Sequence, residues 1–517
     1  MRNVLIDGVS YAPVCQSNNG TIGIAITTHN RLNDIEQAIT HQLEHLPKEC
    51  DRLVIVCDGD ETYNQLINSK TINTDNQLLH IMKSHGTGVA NAKNTCIEQL
   101  MQSTEDPLKP SHIQHLFLFD DDCWPKADGW EKPYIKSPEP HLSHSFNLTE
   151  IYRDKHIVAT HAVGGTMLYY ERQVIEQVGG MRLDFGTWGC EHVNLSDRIF
   201  NRDLTTWRYA DIPEAYDGKL FEELDRSESK ATNPKHKSSA TSQQLEHNRR
   251  EGRALWKQRI KTDKATIPYR TQHNIVFTTL FTNAIDPQRG RITGLTARSI
   301  KPLAQTLDPS IQLIVFTDNP NLNDTLKTLN PNTRVIITQP VIRLDYQRWQ
   351  LITDYLQTHP LIDYAWAVDA TDVTMVNNPF PHMQPNTLYI GDEPETYESD
   401  WLHKQGDDPD FHTFINNHPQ QQLLNCGLAG ADHKTLLTFT RRIIHMWNDN
   451  QIDNTQKWKT GSLGTDMAAA NQTAITGSEQ SDWTLSHGPH INQIFRTSIG
   501  NKHAWWTHKD PEHTRIN

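Results

Sequence analysis

The sequence predicts an α/β protein with two domains in tandem, each a mostly parallel sheet flanked by helices. An apolar segment, Leu116–Phe119, runs directly into three consecutive aspartates, Asp120–Asp122. A second apolar segment, Tyr364–Val368, runs into the acidic stretch Asp369–Asp372. Apolar strands alternate with helical patterns around both segments, and 517 residues are too many for a single core.

The three aspartates cannot lie inside the core, because burying an unpaired charge costs too much free energy. We therefore expect Asp120, Asp121 and Asp122 at the C-terminal end of a central strand, where open α/β sheets bind ligands. Oxygen ligands of this kind suit Mg²⁺ or Mn²⁺ together with a diphosphate. The alternative interpretation is an acidic turn whose aspartates are solvated.

Two further strands of the first half end in polar loops. Ile22–Thr27 is followed by the polar loop Thr28–Arg31, which can bind a phosphate or a sugar through its backbone N–H groups and Arg31. Leu53–Cys57 is followed by Asp58 in the same way. A glycine loop at 86–88 then begins a helix that contains Lys93, and glycines there allow a ligand to approach the backbone.

The composition of the chain limits the classes of protein to which it can belong. The formal net charge of -13 argues against a general nucleic-acid-binding protein. The chain has 7 cysteines without a Cys-x-x-Cys pair, which favours a reduced, cytoplasmic protein, in the host cytoplasm if the protein is viral. Neither a signal peptide nor a membrane-spanning segment is predicted, so we expect no membrane insertion.

The order of these motifs resembles the family-2-type glycosyltransferases, whose Rossmann-like domain is called the GT-A fold. The motifs are Thr27–Arg31, Asp58–Asp60, Gly88–Asn94, Asp120–Asp122 and a downstream segment, Trp188–His192, that is similar to the Trp-Gly-x-Glu-Asp motif of the family. The resemblance covers about residues 20–225.

The resemblance implies a role for each matching residue. Asp120 and Asp122 would bind the metal ion, and Asp58 would contact the nucleotide base. The remaining residues with implied donor contacts are Thr28, Asn30, Arg31, Lys93 and Asp121. Trp188 and Gly189 would bind the acceptor, and either Glu191 or His192 would be the catalytic base.

The sequence departs from the family pattern at two of these positions. Lys93 replaces a frequent arginine, which keeps the charge but loses the bidentate geometry. His192 stands where the family often has an aspartate base, and imidazole can accept a proton near neutral pH. The alternative is that Glu191 caps a helix and His192 faces a partner, so the base is not assigned at this point.

A polar connector, from Ser227 to Gln244, and a basic helix, from Gln244 to Lys261, follow the segment that carries the family resemblance. His236 or His247 could complete the metal site, and the basic residues could bind a polyanionic acceptor. The alternative, which is favoured for any single residue here, is a solvated helix between two domains.

A new series of strands and helices begins near residue 270. Asp369–Asp372 resembles the DxxD metal motif of collagen-type glycosyltransferase domains. This weaker resemblance implies that Asp369 and Asp372 bind a metal ion together with His487 or His490. It also places Asn425 in a donor pocket and Asp466 near the acceptor as a catalytic residue. The alternatives are a turn cap for Asp372, a helix N-cap for Asp466 and an ordinary loop for His487.

These observations predict two glycosyltransferase domains, residues 1–260 and 261–517, in a bifunctional enzyme that depends on Mn²⁺ or Mg²⁺. The expected donor is a nucleotide sugar with UDP as the nucleotide, and the first domain is expected to invert the anomeric centre. The acceptor is a glycan, a protein or a modified DNA base, and the oligomeric state is not predicted. There are three alternatives. The second domain is a module that only binds a sugar or the acceptor, the enzyme acts on modified DNA, or the protein is a nucleotidyltransferase, which would not explain the Trp188–Glu191 segment.

Overall fold

The computed structural model describes residues 4–6, 9–11, 21–69, 78–185, 189–224, 242–270, 272–285, 292, 294–404, 408–450, 464–492 and 502–508. The chain separates into two units, Met1–Thr271 and Gln272–Asn517. This boundary lies after the one expected at residue 260. The reason is that the segment after the basic helix packs on the first unit, where Asp263 pairs with Arg182 and Ile267 forms a bridge with Gly179.

The first unit contains short and long strands interleaved with helices. The strands are β1 (Val4–Ile6), β2 (Val9–Tyr11), β3 (Thr21–Thr28), β4 (Cys50–Cys57), β5 (Leu79–Lys83), β6 (Ile113–Asp120), β7 (Cys123–Pro125), β8 (His141–Ser143), β9 (Glu150–Arg153), β10 (Val158–Thr160), β11 (Met167–Glu171), β12 (Ala210–Asp211) and β13 (Phe221–Glu223). The helices are α1 (Leu32–Glu44), α2 (Asp60–Ile67), α3 (Val89–Met101), α4 (Lys132–Lys136), α5 (Arg172–Val178), α6 (Glu191–Asn201), α7 (Pro213–Tyr216) and α8 (Ser242–Arg259), with a 3₁₀ turn at Leu183–Phe185.

The main sheet of the first unit has the strand order β5-β4-β3-β6-β11-β8. Strands β3, β4, β5 and β6 are parallel, whereas β11 is antiparallel to both β6 and β8. The carboxyl ends of the four parallel strands therefore lie along one edge of the sheet. The polar loops that follow β3, β4 and β6 are brought together at that edge, as the sequence predicts.

The predicted buried strand is confirmed as the interior of β6. Phe117 and Phe119 face an aromatic layer that includes Trp130 and Phe221, with ring centroids 4.8–5.8 Å apart. Leu116 and the alternate residues on the other face join the cluster formed by α3 and α5. Both faces of the strand are thus covered, which is why all four residues before Asp120 are apolar.

The second unit contains a similar series. Its strands are β14 (Asn274–Thr279), β15 (Gln312–Thr317), β16 (Thr333–Ile337), β17 (Tyr364–Val368), β18 (Val373–Met375), β19 (Thr387–Thr396), β20 (Gln422–Asp432), β21 (Thr484–Ser486) and β22 (Trp506–His508). Its helices are α9 (Lys301–Thr306), α10 (Leu322–Leu329), α11 (Leu344–Thr358), α12 (Asp400–His403), α13 (Pro409–Asn417), α14 (His433–Asn450) and α15 (Asp466–Glu479), with a 3₁₀ turn at Phe380–His382.

The sheet of the second unit has the order β16-β15-β14-β17-β20-β19-β21. Strands β14 to β17 are parallel to one another, and β20 is antiparallel to β17. The five strands β16-β15-β14-β17-β20, of which the last is antiparallel, repeat the order and directions of β5-β4-β3-β6-β11 in the first unit. Both units are thus mixed α/β structures with mostly parallel sheets.

The helices that the structure describes include none with both the length and the apolar character needed to cross a membrane. In the basic helix α8, Trp256 donates a hydrogen bond to Asp197 at 2.6 Å and Arg259 pairs with Asp184 at 2.8 Å. This helix therefore packs on the rest of the first unit, to which it belongs. His236 and the side chain of His247 lie outside the described residues.

Candidate active sites

The first candidate site lies where β6 ends. Asp120 is the last residue of the strand, and its Oδ1 atom is 2.6 Å from Nζ of Lys93. Thr27, at the end of β3, donates a hydrogen bond to the same oxygen at 3.1 Å. The side chain of Asp120 is about one third exposed, so it can reach a ligand in the crevice.

Asp121 is buried beneath this surface. Thr28 donates a hydrogen bond to its Oδ2 atom at 2.7 Å, and Arg31 contacts its Oδ1 atom at 3.0 Å. Burial raises the pKa of Asp121 to about 7, although Arg31 and Thr28 lower it in part. These contacts fix the loop between β3 and α1 to the acidic loop after β6, which we define as Asp120–Asp122.

Asp122 has one satisfied and one unsatisfied oxygen. Its Oδ2 atom lies 3.3 Å from Arg31, whereas its buried Oδ1 atom makes no hydrogen bond within the part of the chain that the structure describes. Burial and the neighbouring Asp120 raise the pKa of Asp122 to about 6. A buried carboxylate oxygen without a donor, beside the accessible Asp120, fits a divalent cation.

Two cations partly neutralise the three carboxylates. Arg31 bridges Asp121 and Asp122, and burial of Arg31 lowers its pKa less than the aspartates raise it. Lys93 is fully buried, and burial likewise lowers its pKa less than Asp120 raises it. Both groups therefore remain charged. When all three carboxylates are ionised, one negative charge is left over, and a further cation that binds there favours their ionised forms.

The other predicted donor residues shape the same edge of the sheet. Asp58 accepts a hydrogen bond from the backbone nitrogen of Gly88 at 2.9 Å, which ties the loop after β4 to the start of α3. Gly88 has a φ of +95°, a conformation that favours glycine. Asn30 has a φ of +54°, and its backbone nitrogen is held by Thr62 at 3.0 Å.

Glu191 and His192 begin helix α6 as a hydrogen-bonded pair. The Nδ1 atom of His192 is 3.3 Å from Oε1 of Glu191, and the backbone nitrogen of Gly189 donates to Oε2 at 2.7 Å. Cys190 is left-handed, with a φ of +66°, and this strained residue aims Glu191 inward. Burial alone would raise the pKa of Glu191, but His192 and backbone donors hold it below its ordinary value.

The imidazole of His192 lies against Gly165. A Cβ atom added to Gly165 would lie 3.0 Å from the His192 ring, and the Gly165 carbonyl oxygen is 3.5 Å from Nζ of Lys93. Lys93 also contacts Asp120, so Gly165 and Lys93 connect the histidine to the acidic loop, Asp120–Asp122. Trp188 lies outside the described residues.

The second candidate site lies at the equivalent point of the other sheet, where β17 ends. One ligand atom each from Asp369, Asp372 and His508 lies within 4.8 Å of the other two. The Nε2 atom of His508 is 3.4 Å from Asp369 and 3.8 Å from Asp372. A Cβ atom at Gly427 would lie 2.5 Å from Oδ2 of Asp369 and 2.8 Å from the His508 ring, so only glycine fits there. Two carboxylates and an imidazole fit a divalent transition-metal ion.

Arg348 connects this cluster to Asp466. Its guanidinium is 2.6 Å from Asp369 and 2.6 Å from Asp466, and Trp349 also donates to Asp466 at 2.9 Å. The predicted catalytic residue Asp466 is therefore ion-paired. Asn425 accepts a hydrogen bond from the backbone nitrogen of Gly427 at 2.7 Å, close to the acidic cluster.

The two predicted histidine ligands of the second unit make other contacts in the structure. His487 pairs with Asp392 at 2.9 Å, and this hydrogen bond raises the pKa of His487. His490 lies 3.3 Å from Ser486, and neither histidine joins the cluster at Asp369 and Asp372. Sequence reasoning missed His508. Its signal is the aromatic pair before it, Trp505 and Trp506, which predicts a short buried strand ending in a polar residue.

No family model matches the chain. The chain is 25% identical over 213 residues to an uncharacterized glycosyltransferase of Acanthamoeba polyphaga mimivirus, and the match covers 37% of this chain and 78% of the relative.

Two solved structures are also similar over part of the chain. One is the mannosyltransferase PcManGT from Pyrobaculum calidifontis in complex with GDP-Man and Mn²⁺, with 18% identity and a TM-score of 0.28. The other is GalNAc-T7 with UDP, GalNAc and Mn²⁺, with 14% identity and a TM-score of 0.31. The matches cover 36% and 38% of this chain, and the chain spans 53% and 43% of the two structures.

Proposed function

We propose that the chain is a glycosyltransferase that uses a nucleotide-sugar donor and a divalent cation. The observation that carries this proposal is the convergence of Asp120, Asp122, Arg31 and Lys93 at the carboxyl edge of the first parallel sheet. Ligands of α/β sheets bind at that edge. The similarity to a protein named as a glycosyltransferase supports the same class of reaction.

The residues of the first site have complementary roles in this proposal. Asp120 and Asp122 would hold Mn²⁺ or Mg²⁺, which when bound supplies positive charge to the diphosphate leaving group. Arg31 holds Asp122 in place, and Lys93 orients Asp120. Asp58, Asn30 and Thr28 shape the loops around the donor, and UDP is the proposed nucleotide.

We assign the catalytic base to His192. Its ring is partly exposed and lies against Gly165, whereas Glu191 is buried and already accepts hydrogen bonds at both of its oxygens. The carboxylate therefore orients the imidazole and stabilises it once it is protonated. The Nε2 atom of His192 would take the proton from the acceptor hydroxyl as that oxygen attacks the anomeric carbon, with inversion. Gly189 and Trp188 are the proposed acceptor contacts.

A second site of the same kind is proposed at Asp369, Asp372 and His508, which would make the enzyme bifunctional. The support is topological, because this cluster follows the fourth parallel strand of its sheet, as Asp120 does in the first unit. Asp466, held by Arg348, and Asn425 are proposed to border the donor and acceptor there. The acceptor of either site is a hydroxyl group of a glycan, a protein or a modified DNA base.

A donor screen tests the proposal. Wild type, Asp122→Asn and Asp372→Asn are incubated with UDP-, GDP- and other nucleotide sugars in Mn²⁺ and in EDTA, and released nucleotide is measured. Asp128→Asn and Asp324→Asn are matched controls at other aspartates of each unit. If the two site variants abolish turnover of different donors, both sites are catalytic. If only Asp122→Asn matters, the second unit is a binding module, and if neither matters the proposed function is wrong.

A further inference from the structure

A second group of potential metal ligands lies in the first unit, behind the acidic loop. It consists of Cys123 on β7, His144 directly after β8, and Glu223 on β13. One ligand atom from each lies within 4.8 Å of the other two, and Nε2 of His144 is 3.7 Å from Oε1 of Glu223. Cys123 and Glu223 are opposite each other in the β7–β13 pair.

The histidine of this group is held by a buried carboxylate. The Nδ1 atom of His144 is 3.3 Å from Oδ2 of Asp211, and Asp211 is fully buried. Asp211 also accepts hydrogen bonds from the hydroxyl of Tyr134 at 2.8 Å and from the backbone nitrogen of Ser145 at 2.9 Å. A carboxylate at Nδ1 fixes the tautomer whose Nε2 lone pair points to the other two ligands, as in carboxylate–histidine–zinc triads.

The glutamate is oriented by a similar second contact. The hydroxyl of Thr166 donates to Oε1 of Glu223 at 2.6 Å. The His144 ring also packs edge-on against Phe221, which makes one side of the group apolar. Both the imidazole and the carboxylate are therefore fixed by neighbours, as ligands of a metal centre usually are.

The dimensions and the ligand types favour a tetrahedral zinc ion. With metal–ligand bonds of 2.0–2.3 Å, the ligand atoms of a tetrahedral site lie roughly 3.5 Å apart. The 3.7 Å separation of Nε2 and Oε1 is close to that value. A thiolate and an imidazole prefer Zn²⁺, whereas the all-carboxylate loop of Asp120 and Asp122 suits a harder ion.

A cavity of about 340 Å³ borders the group and is lined by His144, Phe146, Phe221 and Glu223. It leaves room for water in the fourth coordination position, which three protein ligands do not fill.

We propose that Cys123, His144 and Glu223 bind a Zn²⁺ ion that is separate from the donor site. Binding displaces the thiol proton of Cys123 to solvent and forms a Zn–S bond. The ion then joins β7, β13 and the chain after β8. Because β7 begins one residue after Asp122, the ion fixes the position of the acidic loop.

Metal analysis of the purified chain tests this proposal without donor or acceptor, so its result does not depend on glycosyl transfer. The protein is produced with Zn²⁺ in the medium, desalted without chelator and analysed by mass spectrometry of the metal content. The variants are Cys123→Ser, His144→Gln and Glu223→Gln, with Cys50→Ser as a matched buried cysteine. Asp120→Asn removes a ligand of the donor site instead.

We expect wild type, Cys50→Ser and Asp120→Asn to hold about one Zn²⁺ per chain more than each of the three ligand variants, whatever the cluster of the second unit binds. Exchange with Co²⁺ should give a thiolate-to-cobalt absorption band in wild type and in Cys50→Ser. The band should be absent in Cys123→Ser. Near-ultraviolet circular dichroism shows whether each variant is folded. The proposal would be overturned if wild type is purified without zinc and takes up no Co²⁺. It would also be overturned if zinc is lost in Asp120→Asn and retained in Cys123→Ser.

Discussion

Replacing Gly427 by alanine should disable the proposed metal site of the second unit while leaving its sheet in place. Gly427 lies within β20, where a Cβ atom would meet three side chains. The nearest are Oδ2 of Asp369 at 2.5 Å, Cε1 of His508 at 2.8 Å and Oδ1 of Asn425 at 2.9 Å. Two of these belong to the proposed metal ligands.

The size of the effect follows from these distances. Nonbonded carbon atoms keep about 3.5 Å apart, so His508 must move by about 0.7 Å, and Asp369 must move by a similar amount. Metal–ligand distances tolerate only about 0.2 Å, so we expect a loss of Mn²⁺ affinity of about 10- to 100-fold. The free energy of unfolding should fall by only about 1–3 kcal/mol, as in other overpacked cores.

Electron paramagnetic resonance of free Mn²⁺ measures the affinity. The experiment uses an Asp122→Asn background, which weakens the site of the first unit so that binding reports the second. Gly391→Ala is the matched control on the neighbouring strand β19. A Cβ atom there would meet Leu428 at 3.2 Å and Asn492 at 3.4 Å, and neither is a proposed ligand.

Unchanged Mn²⁺ affinity in folded Gly427→Ala would refute the reasoning, because Asp369 and His508 cannot keep their positions beside an added methyl group. An equal loss of affinity in Gly391→Ala would also contradict it. That result would mean that general disturbance of the sheet, rather than displacement of the ligands, weakens binding.

Three further predictions concern the first unit. His192→Ala should lower kcat by about 10²- to 10⁴-fold with little change in donor affinity, because a general base acts only on the chemical step. Arg31→Lys should weaken nucleotide-sugar binding by about tenfold in calorimetry, since the shorter lysine does not reach the position of Nη1, the single guanidinium nitrogen that contacts both Asp121 and Asp122. Asp263→Asn should lower the free energy of unfolding by up to about 2 kcal/mol at pH 7.

The last prediction has a defined pH dependence. Burial alone would raise the pKa of Asp263, but hydrogen bonds from Arg182 and Asn194 lower it to about 2. The stabilisation is therefore present above the unfolded pKa near 4 and is lost as the pH falls towards 2. Urea unfolding of both proteins at pH 7 and pH 3 measures it, and a difference that does not shrink at pH 3 would contradict the prediction.

Further measurements test the predictions for His192→Ala and Arg31→Lys. Glu191→Gln should lower kcat less than His192→Ala, because the amide can still orient the imidazole; a larger loss would assign the base to Glu191. Donor binding should be weakened by EDTA in wild type. If Arg31→Lys binds the donor as wild type does, Arg31 does not support the acidic loop.

The strands and the chemistry at their ends follow from the amino-acid sequence. Apolar runs such as Leu116–Phe119 can only be covered on both faces, and the aspartates after them must leave the core because of their charge. Strand–helix alternation then implies parallel strands whose carboxyl ends share one edge, where Asp120 and Asp369 are found. These are local properties, and they do not require knowledge of distant contacts.

Contacts between residues far apart in the chain depend on the tertiary structure. His508 lies beside Asp369 because β22 pairs with β18, and this pairing depends on the path of the intervening chain. Burial also divided the roles of adjacent aspartates, since Asp121 faces inward to Thr28 and Asp120 faces the crevice. Sequence spacing carries neither the pairing of remote strands nor the direction of each side chain in a loop, because both are set by packing against the rest of the fold.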